Sequence, residues 1–464
     1  MKIEDIKKEI GSNPQAVIDY LSNKQIIVPS WDGVNGLRSE YDPKLHPVMN
    51  KATYPDIVHK DGTPEKVTRV TLDFQRLAVR RMSELVCGIP VKRVYKPETE
   101  GQMKAAKYLE AIFQRNRIDS VNVDRTNMLF ASCEVMTLWY AVEDKNNFYG
   151  FNSKLKVRCR NFSPMLGDKL YPLFDEYGDM IALSVAYKRN DGKKTIDYFD
   201  AYLADKHYKM VSSNSKWEVI EEEDIILGKI PAIYCYRPTP IWEDTSRIVE
   251  ELEWALSRNG NYLRKNSKPL FAVFADEEIS FGDEKDENSE FRTVLQYPAG
   301  SSAKYVTWDQ AIENLKFYEG ALRNSFFTQL QLPDWSYEKM SQVALSGESR
   351  KQLFIDCHLK VKDESGRLLE FFDREVNVVK AMLKVMGCGV RDEDIDSLIV
   401  ENVITPYSIT DEKDTINNLF IANGGKPLMS QRESIEALGW SDDVDETMKE
   451  IAEDEQRNVF EQYQ

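Results

Sequence analysis

The feature that most constrains this chain lies between residues 241 and 386, where three helical runs are interrupted twice in unlike ways. The first run covers about 241–266, and a short, acid-rich, strand-like insert follows at about 267–308. A second run, about 309–329, ends at a loop that contains Leu332-Pro333-Asp334-Trp335-Ser336. After Leu345-Ser346-Gly347 a third run reaches Met386. At about 1.5 Å per residue the last helix would be roughly 57 Å long, more than a compact domain needs. Helices of that length draw their stability from packing along them. Other copies of the chain are one source of such neighbours.

The periodicities give each run a face. Ile248, Leu252, Ala255, Asn259 and Tyr262 fall on one stripe of the first, with Glu250, Glu251, Arg258 and Arg264 facing elsewhere. In the third, Leu369, Phe372, Val376, Val379, Leu383 and Met386 form a heptad-like seam, for which core packing is the simplest reading. Upstream, an N-terminal helix leads into an irregular arm punctuated by Pro29, Pro43, Pro47, Pro55 and Pro64. Val70, Phe74, Leu77, Met82 and Leu85 then recur at helical spacing up to Gly88 and Pro90. A strand at 89–95, helices near 101–114 and 121–133, and a strand at 134–142 follow.

From residue 155 to 236 the texture is β. Segments 156–160, 180–188, 195–203, 207–211 and 217–220 are separated by turn-forming clusters, which predicts an antiparallel meander ending in a strand at 228–234. Beyond Gly387-Cys388-Gly389 the pattern predicts a strand at 397–403, a helix at 411–422 and a boundary at Gly424-Gly425. Two acidic helices close the chain, the first opened by the capping box Ser430-Gln431-Arg432-Glu433. The fold class is therefore α+β.

At 464 residues the chain has room for about three domains. With 42% hydrophobic and 30% charged residues it has the composition of a soluble globular protein, and no apolar run approaches the ~18 residues of a membrane span. Met1-Lys2-Ile3-Glu4-Asp5 lacks a signal-peptide core, so the expected location is the cytoplasm where the chain is made. A net charge of −16 argues against a protein built to grip phosphates, which needs clustered Lys and Arg. Two readings of the acidity stay open: solubility, or a wall that repels DNA sliding past it.

The usual signatures of catalysis are missing: no phosphate loop, no G-x-G-x-x-G, no H-E-x-x-H and no G-x-S-x-G. Cys87, Cys133, Cys159, Cys235, Cys357 and Cys388 are scattered without a C-x-x-C pair and read as small buried hydrophobes. His46, His59, His207 and His358 are equally dispersed, and the acidic clusters lack calcium-loop spacing, so no cofactor and no metal site is expected. Carboxylates brought together only by the fold, as in a metal-dependent phosphodiesterase or nuclease, remain the enzymatic alternative. The segment 330–347, with Pro333, Trp335, Tyr337, Met340 and Ser346-Gly347 between two strong helices, is richer than a plain linker. It reads as either a static connection or a moving loop.

The order of these parts resembles the portal proteins of tailed double-stranded DNA bacteriophages, in the branch with a medium-length chain. Val67-Thr68-Arg69-Val70 with Leu85-Val86-Cys87-Gly88-Ile89-Pro90-Val91 resembles that family's first wing helix and its Gly-x-Pro-Val exit. Leu227-Gly228-Lys229-Ile230-Pro231-Ala232-Ile233 resembles the strand before the first stem helix. Pro333-Asp334 and Leu345-Ser346-Gly347-Glu348-Ser349-Arg350-Lys351 sit where the family has its tunnel loop and the start of the next helix. Ser349 and Arg350 depart from the Ala and apolar residue more usual there. Leu428-Met429-Ser430-Gln431-Arg432-Glu433 resembles the C-terminal region.

The resemblance implies a portal fold: an α/β wing (1–240 and 348–424, the latter holding the long helix), a two-helix stem (241–266 and 309–329), a small β-containing clip (267–308), a tunnel loop (330–347) and a small helical crown (425–464). It implies that Pro333, Asp334, Trp335, Ser336, Glu338, Lys339 and Gln342 line the DNA channel. Asp283, Glu284, Asp286 and Glu287 of the clip would dock a partner. The implied function is a ring of roughly twelve copies at one capsid vertex of the virion, assembled in the host cytoplasm. That ring would be the conduit for genome packaging and ejection, without covalent chemistry of its own. Its implied partners are the terminase large subunit, the head–tail adaptor, the major capsid and scaffolding proteins, and double-stranded DNA passing without sequence specificity, with no membrane. Another ring-forming head–tail adaptor component is the remaining alternative.

Overall fold

A polar side chain every fourth residue on one helix decides how the N-terminal half of this protein packs. A computed structural model describes residues 3–33, 36–190, 192, 194–213, 216–266, 270–274, 280–285, 291–296, 302–306, 312–334, 354–406, 430–438 and 444–461. The chain divides into two compact units, residues 1–334 with 356–407, and 335–355 with 408–464.

The first unit opens with α1 (Ile3–Glu9), α2 (Pro14–Leu21) and α3 (Leu37–Tyr41), then two short paired strands, β1 (Ile57–Val58) and β2 (Pro64–Glu65). The next helix, α4, runs Phe74–Cys87 and not from Val70. Residues 68–72 are extended because their alternate backbone donors are engaged elsewhere. Thr68 N–H donates to Asn261 Oδ1 at 2.5 Å, Val70 N–H to Ser257 Oγ at 2.9 Å, and Leu72 N–H to Glu253 Oε1 at 2.7 Å. All three acceptors lie on the helix Ser246–Asn266. Its buried face is accordingly Val249, Leu252, Glu253 and Ser257, rotated from the stripe expected at Ile248, Leu252, Ala255, Asn259 and Tyr262.

The β segments form two sheets where one meander was expected. After β3 (Lys92–Lys96), α5 (Glu100–Arg115) and α6 (Ile118–Ser132), strand β4 (Glu134–Asn146) pairs with β5 (Ser153–Phe162) on one edge. On its other edge β4 pairs with β11 (Ala232–Tyr236). The meander proper is β6 (Lys169–Phe174), β7 (Met180–Asn190), β8 (Thr195–Tyr202), β9 (Lys206–Ser213) and β10 (Lys216–Asp224), antiparallel throughout. Strand β6, absent from the sequence reading, carries Pro172 and is an edge strand, where a missing N–H is tolerated. Side-chain alternation gives this sheet two cores. Phe199, Ala201 and Met210 pack with Ile6, Val17, Ile18 and Leu21 from α1 and α2, while Leu183, Val185 and Tyr202 pack with Met136, Phe162 and Tyr234.

The helix of the opening (Ser246–Asn266, here α7) begins at Ser246, since Ile241 and Trp242 are buried in the preceding turn and Trp242 Nε1 donates to Glu40 Oε2 at 2.8 Å. The insert holds four strands in nested antiparallel pairs: β12 (Leu270–Phe274) with β15 (Ser302–Val306), and β13 (Ser280–Lys285) with β14 (Phe291–Gln296). Helix α8 returns over Ile312–Gln329, and Tyr318 Oη donates to Glu251 Oε1 of α7 at 3.1 Å.

The long helix is α9 (Ile355–Val385), about 46 Å over its 31 residues. Of the expected seam, Phe372, Val376, Val379, Leu383 and Met386 are buried, and Leu369 is half-buried. A second row, Leu368, Phe371, Glu375, Val378 and Met382, is buried as well. The second half of α9 is thus wrapped by its own chain. At its centre Arg125 of α6 meets Glu375 through two parallel bonds of 2.6 and 2.7 Å, and Trp139 Nε1 of β4 donates to Glu375 Oε1 at 3.0 Å. The guanidinium lies over Phe371 and Phe372 at 4.6 and 5.0 Å. Removing either partner of such a buried, bidentate charge pair would leave the other charge uncompensated. Helix α10 (Asp392–Ser397) and β16 (Ile399–Val403) follow, β16 pairing with β3.

In the second unit, α11 (Gln431–Leu438) and α12 (Val444–Glu461) are the two acidic helices. The capping box is formed: Glu433 N–H donates to Ser430 Oγ at 3.2 Å and Ser430 N–H to Glu433 Oε2 at 2.9 Å. The helix expected at 411–422 and the start of the long helix at 348–353 lie outside the described residues.

Two predictions follow from the α7 contact. A Cβ at Gly260 would stand 2.8 Å from Thr68 Cγ2. Alanine ordinarily stabilises a helix interior by about 1 kcal/mol over glycine, yet Gly260→Ala should lower stability by about 1–3 kcal/mol through overpacking. The sign should revert in a Thr68→Ala background, as read from urea midpoints. His46, 3% exposed, places Nδ1 2.7 Å from Glu253 Oε1 and Nε2 2.7 Å from the Glu40 carbonyl, so both nitrogens face acceptors. Burial opposes the charge, but the Glu253 carboxylate outweighs it and holds the imidazolium pKa above its usual value. Its contribution is complete below the unfolded pKa of about 6.5 and is lost as pH rises through the folded value. The wild type should lose stability over that interval and His46→Gln should not, by thermal melts across pH.

Candidate functional site

The segment that leaves α8 starts from a root built by three helices. The last turn of α8 closes with Leu332 N–H donating to Phe327 C=O and Gln331 N–H to Thr328 C=O, both at 3.1 Å, the pattern of a Schellman cap. Gln331 has φ +53°, a left-handed conformation that costs a non-glycine residue about 1–2 kcal/mol. Pro333 follows, where the chain can no longer continue the helix. Leu330 and Leu332 are buried, as are Phe326 and Phe327, whose rings lie 5.2 and 6.0 Å from Phe74 of α4.

Three cations hold this turn. Arg81 of α4 donates to the Pro333 carbonyl, lies 3.9 Å from Asp334 Oδ1, and sets its guanidinium over Phe327 at 4.8 Å. Burial lowers the Arg81 pKa, and the Asp334 carboxylate works against that. Arg323 Nε of α8 stands 3.3 Å from Asp334 Oδ2. Lys360 of α9 donates to the Leu330 carbonyl, and burial, with help from Arg237, pushes its ammonium down to about 8. The Leu330 and Pro333 carbonyls thus accept from charged donors, stronger partners than neutral ones, and the Asp334 carboxylate is ion-paired to two cations.

Of the residues expected to line a channel, Pro333 and Asp334 belong to this root. The Asp334 side chain is 11% exposed and serves as its anion. Trp335, Ser336, Glu338, Lys339 and Gln342 lie outside the described residues. In the insert, Asp283 and Glu284 sit on β13 opposite Thr293 and Arg292 of β14, while Asp286 and Glu287 lie outside the described residues. Sequence reasoning missed Arg81, Arg323 and Lys360. The signal for Arg81 was a cation on the apolar stripe of α4, between Ala78 and Leu85.

Little else gathers chemistry. Among the described residues no cluster of His, Cys, Asp and Glu is placed to hold a metal, and none of their helices is long and apolar enough to cross a membrane. Of the six cysteines read as buried, Cys87, Cys133, Cys235 and Cys357 are, while Cys159 and Cys388 are half-buried; burial pushes the thiols of Cys133 and Cys235 up to about 12.

The root can be tested by asymmetry. Arg81 is 9% exposed at its side chain and Arg323 39%. Arg81→Ala should therefore cost more, about 2–4 kcal/mol, because it strands a buried carboxylate and a carbonyl. Arg323→Ala should cost about 1 kcal/mol or less. Equal losses in denaturant titrations would contradict the anchoring assigned to Arg81.

Comparisons with known proteins bear on what this architecture belongs to. The family model described as "Phage portal protein, SPP1 Gp6-like" matches residues 2–459. A comparison with curated proteins gives no match. Among solved structures, a chain in the virion of a native gene transfer agent particle is similar at 10% identity and a TM-score of 0.38, covering 93% of this chain and 99% of that one. A chain from the neck of a native gene transfer agent particle, computed with C12 symmetry, is similar at 10% identity and the same TM-score, over 92% and 98%. These structural likenesses are too loose to add to the family match. With the model spanning nearly the whole chain, the protein belongs to the SPP1 Gp6-like family of phage portal proteins.

Proposed function

We propose that this protein forms a ring at one capsid vertex, the conduit through which double-stranded DNA is packaged and ejected. The observation that carries the proposal is the family match over residues 2–459. The helix–insert–helix order of α7, four strands and α8 supports it. In this reading α7 and α8 are the stem, 267–308 the clip, 330–347 the tunnel loop, 1–240 with 348–424 the wing, and 425–464 the crown. The ring has roughly twelve copies. It does no covalent chemistry, and the terminase large subunit and head–tail adaptor dock on it in turn.

The anchored root gives the tunnel loop a physical starting point. A loop that transmits force or gates DNA needs one immobile end. Arg81, Arg323 and Lys360 supply it at Leu330–Asp334. Native mass measurement of the purified chain tests the assembly: a particle of roughly twelve chain masses is expected, and a stable monomer that hydrolyses phosphodiesters would favour the enzymatic alternative. Deletion of 335–342 should leave that mass unchanged while lowering the yield of packaged DNA. Undiminished packaging would remove the loop from the mechanism.

A further inference from the structure

In a chain with a net charge of −16, one strand stands out. Lys154, Lys156, Arg158 and Arg160 occupy every second position of β5, so all four stand on one face. They follow one another at roughly 6.6–6.8 Å and span about 20 Å. The same face buries Phe162 and, on β4, Met136. It then runs out past Leu138 to exposed Tyr140 and Val142, which lie opposite Arg158 and Lys156. The row is lightly neutralised. Lys156 has Asp144 at 3.5 Å; Arg160 is set over Phe162 at 4.6 Å, and burial raises the pKa of the Asp168 carboxyl while Arg160 only partly opposes it. Among the described residues Lys154 and Arg158 have no ion-pair partner. Phe148, 41% exposed, carries two further cation contacts, Arg115 at 4.1 Å and Lys156 at 5.5 Å.

The occupant of such a face must be anionic, and the strand edge narrows the choice. An extended acidic peptide would add to β5 through backbone hydrogen bonds. That edge is closed at its middle: Val157 N–H donates to Tyr149 Oη at 3.0 Å, and Asn116 Nδ2 donates to Val157 C=O at 3.2 Å. Asn146 Nδ2 donates to Leu155 C=O at 3.2 Å. What remains is a flat row of Lys and Arg heads, suited to a ligand that presents charge alone. Guanidinium forks and ammonium groups in a line are the donors that phosphate oxygens take.

We propose that the outward face of β4 and β5 binds the phosphate backbone of double-stranded DNA without sequence preference, a contact outside the proposed tunnel loop. The inference rests on the portal reading, which makes DNA the molecule this protein handles. The acidic remainder of the surface keeps that contact weak, local and salt-dependent.

The test uses the assembled full-length protein and a short mixed-sequence duplex, with affinity measured by fluorescence anisotropy between about 50 and 200 mM salt. Lys154→Ala/Arg158→Ala should weaken binding about tenfold or more at the low-salt end and reduce the log–log salt slope by about 2. Lys104→Ala/Lys188→Ala, an equal charge change elsewhere, should leave both unaltered. An unchanged slope in the β5 variant overturns the proposal. So does poly-glutamate that displaces the duplex at matched charge with the same dependence on Lys154 and Arg158, which would assign the face to an acidic protein. A fall in assembled mass of the β5 variant would make the face a contact between copies and overturn it too. Rings that form but do not take DNA on this face defeat this inference alone. Absence of rings in the wild type defeats the portal reading itself.

Discussion

The ladder between residues 68–72 and α7 is the contact on which the rest of the first unit depends. Two residues of extended chain advance about 6.6–6.8 Å and four residues of helix about 6.0 Å. Asn261, Ser257 and Glu253 therefore meet Thr68, Val70 and Leu72 in step. The match fixes the rotation of α7 about its own axis, and Gly260 permits the close approach at Thr68. Glu253 does double duty, since the same oxygen takes the Leu72 N–H and His46. Each half-buried donor left without its partner would cost about 1–3 kcal/mol. The helix that leads into the four-stranded insert is thereby set in one direction before any other copy of the chain is involved.

A second clamp plays the same part for the long helix. Arg125, Trp139 and Glu375 tie α6, β4 and α9 at one buried point. The core of the first unit is then held at two places by polar groups, and its apolar residues fill the space between them. The root at Leu330–Asp334 is a third polar anchor, where α4, α8 and α9 meet. These anchors share a logic: a buried charged or polar group that bonds directional partners specifies one geometry, where an apolar face would tolerate several.

The sequence made most elements legible and hid most anchors. Turn clusters at 175–179 and 190–192 marked the meander, and Ser430 to Glu433 marked a helix start, because these signals are local. The rotation of α7 was not legible. Periodicity weighs apolar residues, so it chose Ile248 and Ala255, while the packed face is set by Glu253 and Ser257 for the extended segment 68–72, far away in sequence. Val70 looked helical for the same reason: its spacing is right, but its N–H belongs to Ser257. Strand β6 was hidden by Pro172, and β5 was assigned to the wrong sheet because pairing with β4 is a tertiary fact. At the root, Pro333 and Asp334 were noticed, while Arg81, Arg323 and Lys360 come from three different helices and leave no motif.

What the helices α7 and α8 do in the assembled particle is the centre of the matter. A cryo-electron microscopy reconstruction of the purified full-length chain measures it directly. The portal reading predicts a closed ring in which α7 and α8 run from the body to the four-stranded insert around a central hole. A monomer, or a ring with α7 and α8 on its outer rim and no open axis, would contradict it.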